Sequence, residues 1–333
     1  MRKIRIGLNG FGRIGRAITR IALESSDVQI SHINTKKTEN DMLSYLLKFD
    51  SVYRRLGKSV SFDADGLIVN DTHIKTSREA DPSNISWGAS NTDIVIDATG
   101  AFLTEESLRP HLKDTVKKVI LTAPAKDENM PHVVLGVNEI PKDTNIISNA
   151  SCTTNCAAPM LKVLNDAFKI VSGSLTTAHA YTQTQSLLDD PGKNVERSRS
   201  APLNIIPSTT GAAKAVVKVI PELDGKIDGM AIRVPVPTGS FTDITCLVDK
   251  DVTADEINMV FKERSQQELK GILEYATDIL VSSDIIGSTY SVIFDPNYTK
   301  VINKRFVKIY GWYDNEWGYS CRVIDLATKL GQS

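Results

Sequence analysis

Apolar residues alternate through Ile4, Ile6 and Leu8, give way to a run of glycines, and recur at Ile14, Ala17, Ile18 and Ile21. The first spacing has the two-residue period of a strand and the second the 3.6-residue period of a helix, so the chain opens as strand, tight turn, helix. Further strand candidates follow at "VQISHIN" from Val28, "LIVND" near Leu67, "TDIVIDATG" near Thr92, "KKVILTAP" at Lys117 and "NIISNA" at Asn145, with helical stretches between. Strands alternating with helices predict a parallel, doubly wound α/β sheet. From about Ser172 the strands lengthen, as in "SLTTAHAY", "GMAIRVPVP" and "FTDITCLVD", and a long polar connection runs from Thr182 to Ser208. That half predicts an α+β domain with a mixed or antiparallel sheet.

Composition narrows the possible roles. A chain of 333 residues exceeds what one hydrophobic core usually organises, so two domains are expected. With 39 basic and 40 acidic side chains the net charge is −1, and no global field favours nucleic acid or an anionic membrane. Charges are scattered through Met1 to Ser25, which therefore reads as neither signal peptide nor membrane span. Four cysteines are too few for a disulfide framework of this length and favour a reducing, cytoplasmic setting.

The glycines of the first turn form "GFGRIG", Gly10-Phe11-Gly12-Arg13-Ile14-Gly15. Between a strand and a helix, such glycines allow a tight turn, close approach of a pyrophosphate to backbone N–H groups, and close helix packing. The first domain is accordingly expected to be a Rossmann-type dinucleotide-binding domain. The same fingerprint calls for an acidic residue about twenty positions on, to hold the ribose 2′-hydroxyl. Here the second strand ends in "HINTKK", and Thr35, followed by Lys36 and Lys37, stands in the acid's place.

In "SNASCTTNCAAPMLKVL", Cys152 and Cys156 lie four apart at the start of a helical segment. Zinc would require further soft ligands, and no second cysteine or histidine pair is close in sequence, so no metal is expected. Cys156, one turn into the helix, reads as packing. Cys152 sits at the helix start, where the macrodipole and free N–H groups favour a thiolate, and reads as a nucleophile. Among five histidines, His179 in "TTAHAYTQTQ" ends an apolar strand beside hydroxyl and amide side chains and is the candidate base.

Taken together, "NGFGRIGR", "ASCTTNC", "AHAYT", "NIIPSTTGAAKAV", "GMAIRVPVP" and "WYDNEWGYS" resemble the phosphorylating glyceraldehyde-3-phosphate dehydrogenases in order and spacing, over nearly the whole chain. The resemblance implies that Cys152 attacks the aldehyde, that the hemithioacetal gives hydride to nicotinamide to leave a thioester, and that inorganic phosphate releases an acyl phosphate. His179 would serve as base, Thr182 and Arg233 would hold the substrate phosphate, and Ser151, Thr153, Thr210 and Gly211 would surround the attacking phosphate, with Arg197 between the two sites. The cofactor would meet Asn9 and Gly10 to Gly15, Asn34, Thr35, Thr99, Gly100 and Thr122, and Asn315 would bond the nicotinamide carboxamide. A homotetramer is implied as well.

The sequence departs from the family in three places that bear on the cofactor: Ala80 in "READPSNISW", where an arginine is frequent, with Arg78 two residues earlier, and Asp190 and Glu196 in the long connection. The missing acid at Thr35 and the positive charges of Lys36 and Lys37 lead to an expectation of dual NAD and NADP use, against which Asp190 would oppose a 2′-phosphate brought close to it by a neighbouring subunit. The expected layout is a dinucleotide-binding domain over 1–150, a catalytic domain over 151–316, and a terminal helix over 317–333 returning to the first. The rival readings are erythrose-4-phosphate dehydrogenase, a semialdehyde dehydrogenase of similar fold, and a secondary role in binding nucleic acid or at a cell surface. No nucleic acid or membrane is expected as a primary partner.

Overall fold

The computed structural model describes residues 2–192 and 194–332. The chain gathers into two compact units, one formed by Met1–Val133, Ile140–Ala150 and Ser320–Ser333, the other by Val134–Glu139 and Ser151–Tyr319. No helix among the described residues is long and apolar enough to cross a membrane.

The first unit is built on β1 (Ile4–Asn9), β2 (Val28–Asn34), β3 (Val60–Phe62), β4 (Gly66–Val69), β5 (Thr72–Ser77), β6 (Ile94–Asp97), β7 (Lys118–Leu121) and β8 (Ile146–Ser148), with helices α1 (Arg13–Ala22), α2 (Asn40–Lys48) and α3 (Glu105–Leu108). These strands lie in the order β3-β4-β5-β2-β1-β6-β7-β8. From β5 to β8 every pairing is parallel. The doubly wound sheet expected from the alternating pattern is therefore present. The "LIVND" segment is the exception: β4 pairs antiparallel with both neighbours, because the turns around it are too short for a crossover helix. On β1, Ile6 and Leu8 are wholly buried, and on α1 Ala17 and Ile18 are too, as their periods require. Arg20 breaks the apolar face but is satisfied, its guanidinium donating to the carbonyls of Leu47 and Arg54. Trp87, Val95, Leu108, Val119 and Leu121 pack into one cluster beside the sheet, each such side chain contributing roughly 1.5–3 kcal/mol of burial.

The second unit carries α4 (Cys152–Phe168), β9 (Ile170–Ala180), β10 (Ile206–Thr209), α5 (Ala212–Val219), β11 (Ile227–Val234), β12 (Ser240–Val248), α6 (Ala254–Gln266), β13 (Leu273–Tyr275), β14 (Val292–Phe294), β15 (Lys300–Ile302) and β16 (Phe306–Tyr313). The last helix, α7 (Trp317–Gln332), follows. The sheet order is β10-β11-β9-β12-β16-β14-β13, with β15 on β16. It is mixed: β9 runs parallel to β11 and antiparallel to β12. Helix α4 is buried on nearly all sides, which suits its run of small and apolar residues, and it keeps Pro159 within it at the loss of one backbone bond.

Candidate active site

In the first unit, chain connections leave β1 toward β2 on one side and toward β6 on the other, so the crevice outside their carboxyl ends is the topological switch point where α/β sheets bind ligands. Gly10 has φ +98°, and a Cβ there would stand 2.9 Å from the Ala98 carbonyl. A Cβ on Gly15 would come within 2.2 Å of the Gly10 oxygen. Gly12 caps α1 in extended conformation with no side chain on the free N–H groups and no acid in the first turn, so the positive end of the helix is left for an anion. Phe11 is buried and Ile14 half-buried, while the Arg13 guanidinium is paired with Asp50 and lies over the Tyr53 ring.

The strand ends beside this turn hold a polar network. Asn9 Nδ2 donates to Asp97 Oδ2 at 2.7 Å, and Asn34 Nδ2 donates to Asn9 Oδ1 at 2.8 Å. Asp97 Oδ1 accepts from the Thr99 hydroxyl at 2.7 Å, and its backbone carbonyl accepts from the Thr122 hydroxyl at 3.0 Å. Gly100 follows at φ +67° with open space around it. Behind Asp97 the Trp87 indole donates to His111 Nδ1 at 3.2 Å, which leaves the proton on the His111 nitrogen that faces Asp97 at 3.4 Å. Sequence reasoning missed Asp97 and His111; a lone acid ending the fully apolar strand "IVID" was the available signal. Thr35 is buried, its N–H bonded to Ser77 O and its hydroxyl to Thr38 O, whereas Lys36 and Lys37 are exposed. Arg78 pairs with Glu39 and donates to Asn40.

Ala150, the last residue before the chain enters the second unit, adopts φ +54°, a left-handed conformation unusual for alanine, immediately before the N-cap of α4. The Ser151 hydroxyl caps the helix by accepting from the Thr154 N–H at 3.1 Å. That turn sets Cys152 at the first helical position, with its Sγ 3.4 Å from His179 Nε2. His179 is next to last on β9, and the parallel register pairs it with Arg233 of β11, so the two side chains share one face of the sheet. Arg233 Nη1 lies 2.9 Å from His179 Nδ1 and 3.3 Å from the Ala180 oxygen, which itself stands 2.6 Å from Nδ1. A carbonyl can only accept and a guanidinium only donate, so the shorter contact puts the imidazole proton on Nδ1, Arg233 Nη1 donates to the Ala180 oxygen instead, and Nε2 presents its lone pair to the thiol.

Electrostatics follow from this packing. Burial, then the Arg233 charge, lowers the His179 pKa to about 3, so the imidazole is neutral at physiological pH. Burial also raises the Cys152 thiol above its ordinary value, with Arg233 working in the opposite direction. At the Cys152 sulfur desolvation is the largest influence, and the Arg233 charge and the hydrogen bonds from the start of α4 oppose it. Cys156 is fully buried, and burial pushes its thiol further up, as befits a packing residue.

Two cations converge beside the pair. Arg197 reaches from the long connection to donate to Ser208 Oγ at 2.7 Å, and its charge is felt by both Arg233 and His179. Arg233 Nε is buried and makes no hydrogen bond to a described residue, as a donor held for an incoming anion would. Thr182 bonds the Thr184 hydroxyl, the Thr210 hydroxyl accepts from Ala212 N–H, and Gly211 opens α5 with nothing within 4 Å of the place a Cβ would occupy. The Thr153 hydroxyl is turned to the Tyr313 hydroxyl at 2.9 Å, which also meets Thr177 at 2.8 Å, and the Tyr313 ring stands edge-on to His179 at 6.0 Å. Tyr313 was missed because nothing local in "WYDNEW" separates it from an ordinary core tyrosine. Asn315 Oδ1 accepts from Ser240 and Thr238, which fixes the amide and leaves its NH₂ as the group to offer a ligand.

The chain matches the NAD binding domain of glyceraldehyde 3-phosphate dehydrogenase over residues 4–105 and the C-terminal domain of the same enzyme over residues 151–315. It belongs to the glyceraldehyde 3-phosphate dehydrogenase family. It is 49% identical to glyceraldehyde-3-phosphate dehydrogenase 2 of Streptomyces avermitilis, with 98% of both chains covered. It is 48% identical to the Geobacillus stearothermophilus glyceraldehyde-3-phosphate dehydrogenase, again over 98% of both, and 46% identical to glyceraldehyde-3-phosphate dehydrogenase 3 of Saccharomyces cerevisiae over 99% of this chain and all of that one. Family membership gives the switch-point crevice an NAD-binding role and makes the Cys152 cluster the place to look for chemistry.

Proposed function

We propose that this chain oxidises glyceraldehyde 3-phosphate to an acyl phosphate, using NAD and inorganic phosphate through a Cys152 thioester. The observation that carries the reading is the triangle of Cys152 Sγ, His179 Nε2 and Arg233, a thiol, a base with its lone pair directed at that thiol, and a cation beside them. The His179 lone pair takes the thiol proton as Sγ attacks the aldehyde carbon, and the imidazolium returns it to the carbonyl oxygen to give a hemithioacetal. When NAD is bound, it supplies the acceptor for the two electrons the substrate carbon gives up. On this chain's side that step needs a base for the hydroxyl proton, and His179 Nε2 is the group proposed for it. A phosphate oxygen then attacks the thioester, the C–S bond breaks, and the departing thiolate regains its proton from His179.

The substrate supplies part of its own activation in this scheme. An unopposed Arg233 disfavours the imidazolium that both proton transfers create. A substrate phosphate on Arg233 and Thr182 offsets that charge, so His179 becomes a stronger base when the correct ligand is present. Ser151, Thr210 and Gly211 are the groups proposed for the attacking phosphate, with Arg197 between the two phosphate sites and Thr153 contributing through its main chain since its hydroxyl is turned to Tyr313.

The fit of a dinucleotide to the first unit rests on the glycines, since a Cβ at Gly10 or Gly15 would fill the turn that a pyrophosphate must approach. Asn9, Asn34, Thr35, Thr99, Gly100 and Thr122 are proposed to border it, and Asn315 to bond the carboxamide. Dual use of NAD and NADP is proposed from Thr35, where a carboxylate would repel a 2′-phosphate, and from the exposed Lys36 and Lys37 beside it. Thr35→Asp is expected to shift the NADP-to-NAD ratio of kcat/KM toward NAD by about tenfold or more; an unmoved ratio would refute the assignment. Exposed Leu187, Leu188, Val195, Leu203 and Ile205 in the long connection support a homo-oligomer, proposed to be a tetramer. The setting proposed is cytoplasmic. Initial rates with glyceraldehyde 3-phosphate, with and without phosphate and with each dinucleotide, test the whole reading: steady turnover that does not require phosphate would reject it.

A further inference from the structure

A large cavity of the first unit is lined by none of the residues assigned to the cofactor or to the chemistry. It occupies about 810 Å³ in the first unit, at the amino ends of β1, β6 and β7, the opposite end of the sheet from Asn9 and Asp97. Its wall carries Arg2, Lys3, Lys117, Lys118, Lys142 and Lys329, and its one acid is Asp93. Asp93 is already neutralised by a two-pronged contact from Arg2 at 2.5 and 2.7 Å. Five ammonium groups therefore line one concavity whose only lining carboxylate is already paired. Lys3 donates to Ser25 O and Lys118 to Thr144 O and Asn145 Oδ1, but carbonyl and amide oxygens leave the positive charge in place. The side-chain ammonium groups of Lys117, Lys142 and Lys329 make no hydrogen bond or ion pair with any described residue, although Asp325 lies close enough to feel Lys329.

Like charges gathered without a counter-ion repel one another, so the arrangement gains by binding a multivalent anion. The carboxyl end of α7, beside Lys329, sets roughly half a negative charge against the five cations, too little to reverse the field. Lysines are point charges that suit phosphate without demanding one geometry, and three with uncommitted amines match a ligand with several phosphoryl groups close together. We propose that this cavity binds a compact oligophosphate, taken either as the free inorganic chain or as the tail of a nucleotide whose base lies on Ile140, Pro141 and Leu330.

Inorganic tripolyphosphate is the probe, titrated calorimetrically into the full-length protein with saturating NAD and orthophosphate, so that the cofactor and catalytic anion sites are filled. One saturable site is expected, and it should weaken as salt is raised. Each of Lys117→Gln, Lys142→Gln and Lys329→Gln should weaken it about tenfold, and the triple variant should abolish it while keeping wild-type dehydrogenase activity, which also shows that it is folded. Tripolyphosphate should raise the thermal midpoint of the wild type and not of the triple variant. Arg233→Leu should leave this affinity intact, which separates the site from the catalytic one. The absence of saturable binding, an equal affinity in the triple variant, or a loss in Arg233→Leu would each overturn the proposal. In a parallel titration, ATP binding more tightly than tripolyphosphate assigns the nucleotide, and equal affinity assigns the free chain.

Discussion

The carboxyl ends of β1, β2 and β6 and the surroundings of Cys152 are both polar and both largely buried, yet they are assembled on opposite principles. In the first, Asn9, Asn34, Asp97, Thr99 and Thr122 satisfy one another through neutral amides, hydroxyls and one accepting carboxylate. Such a closed network is rigid, as a cradle for a ligand should be. In the second, a guanidinium presses on an imidazole that rests neutral at physiological pH, a thiol is held above its normal pKa, and a buried Arg233 donor has no partner among the described residues. The charge of an anion bound at Arg233 would relieve that imbalance. A binding region can be complete in itself, whereas a region that does chemistry keeps part of its electrostatics open for the reactant.

The largest effects should come from the open cluster. Cys152→Ser is expected to reduce turnover by at least about 10³-fold, and His179→Asn by about 10²–10⁴, with NAD affinity nearly unchanged in each. A loss of NAD binding equal to the loss of rate would show that the two regions are one. Cys156→Ser should matter little.

Gly15→Ala is the converse probe. A methyl group 2.2 Å from the Gly10 carbonyl must displace the turn, so NAD affinity should fall by tenfold or more, given about 1–3 kcal/mol for overpacking, while the reaction of Cys152 with iodoacetamide stays normal. Slower alkylation in this variant would blur the contrast.

Arg233→Leu sharpens it, because it touches substrate and thiol together. KM for glyceraldehyde 3-phosphate should rise about tenfold or more, and unphosphorylated glyceraldehyde should be affected much less. Arg233 also holds the thiol pKa down, so its removal should raise that pKa and slow alkylation at neutral pH. Unchanged or faster alkylation would contradict the assigned charge coupling.

How far the two regions were legible differs for the same physical reason. The dinucleotide turn is contiguous, and Gly15 meets its constraint at the Gly10 carbonyl, five positions away, so strand, turn and helix could be read from one stretch. His179 and Arg233 lie 54 positions apart and meet only through the in-register pairing of β9 with β11, which no local pattern encodes. Their importance was available through family resemblance, and their mutual contact was not. Tyr313 and Asp97 escaped notice because a residue's hydrogen-bond partners belong to the fold and not to its neighbours in sequence. The antiparallel pairing of β4 was hidden similarly, since an apolar run does not state its direction.

The smallest effect concerns stability of the first unit. His32 is buried against Trp87 and the Ser77 and Ser90 hydroxyls, and burial lowers its pKa from 6.5 to about 4. Between those values the unfolded chain binds the proton and the folded chain does not, so acidification from 6.5 toward 4 removes stability, up to about 3 kcal/mol from this group. His32→Gln should show a smaller fall in urea midpoint between pH 6.5 and 4.5 than the wild type; equal falls would mean that His32 titrates normally.

The central claim is a covalent acyl intermediate on Cys152. Rapid mixing of the protein with NAD and glyceraldehyde 3-phosphate in the absence of inorganic phosphate, followed by acid quench and peptide mass analysis, tests it directly. The account predicts a burst of NADH stoichiometric with active sites, an acyl adduct on the Cys152 peptide alone, and loss of the adduct when phosphate is added before the quench. No burst, or an adduct on any other residue, would contradict it.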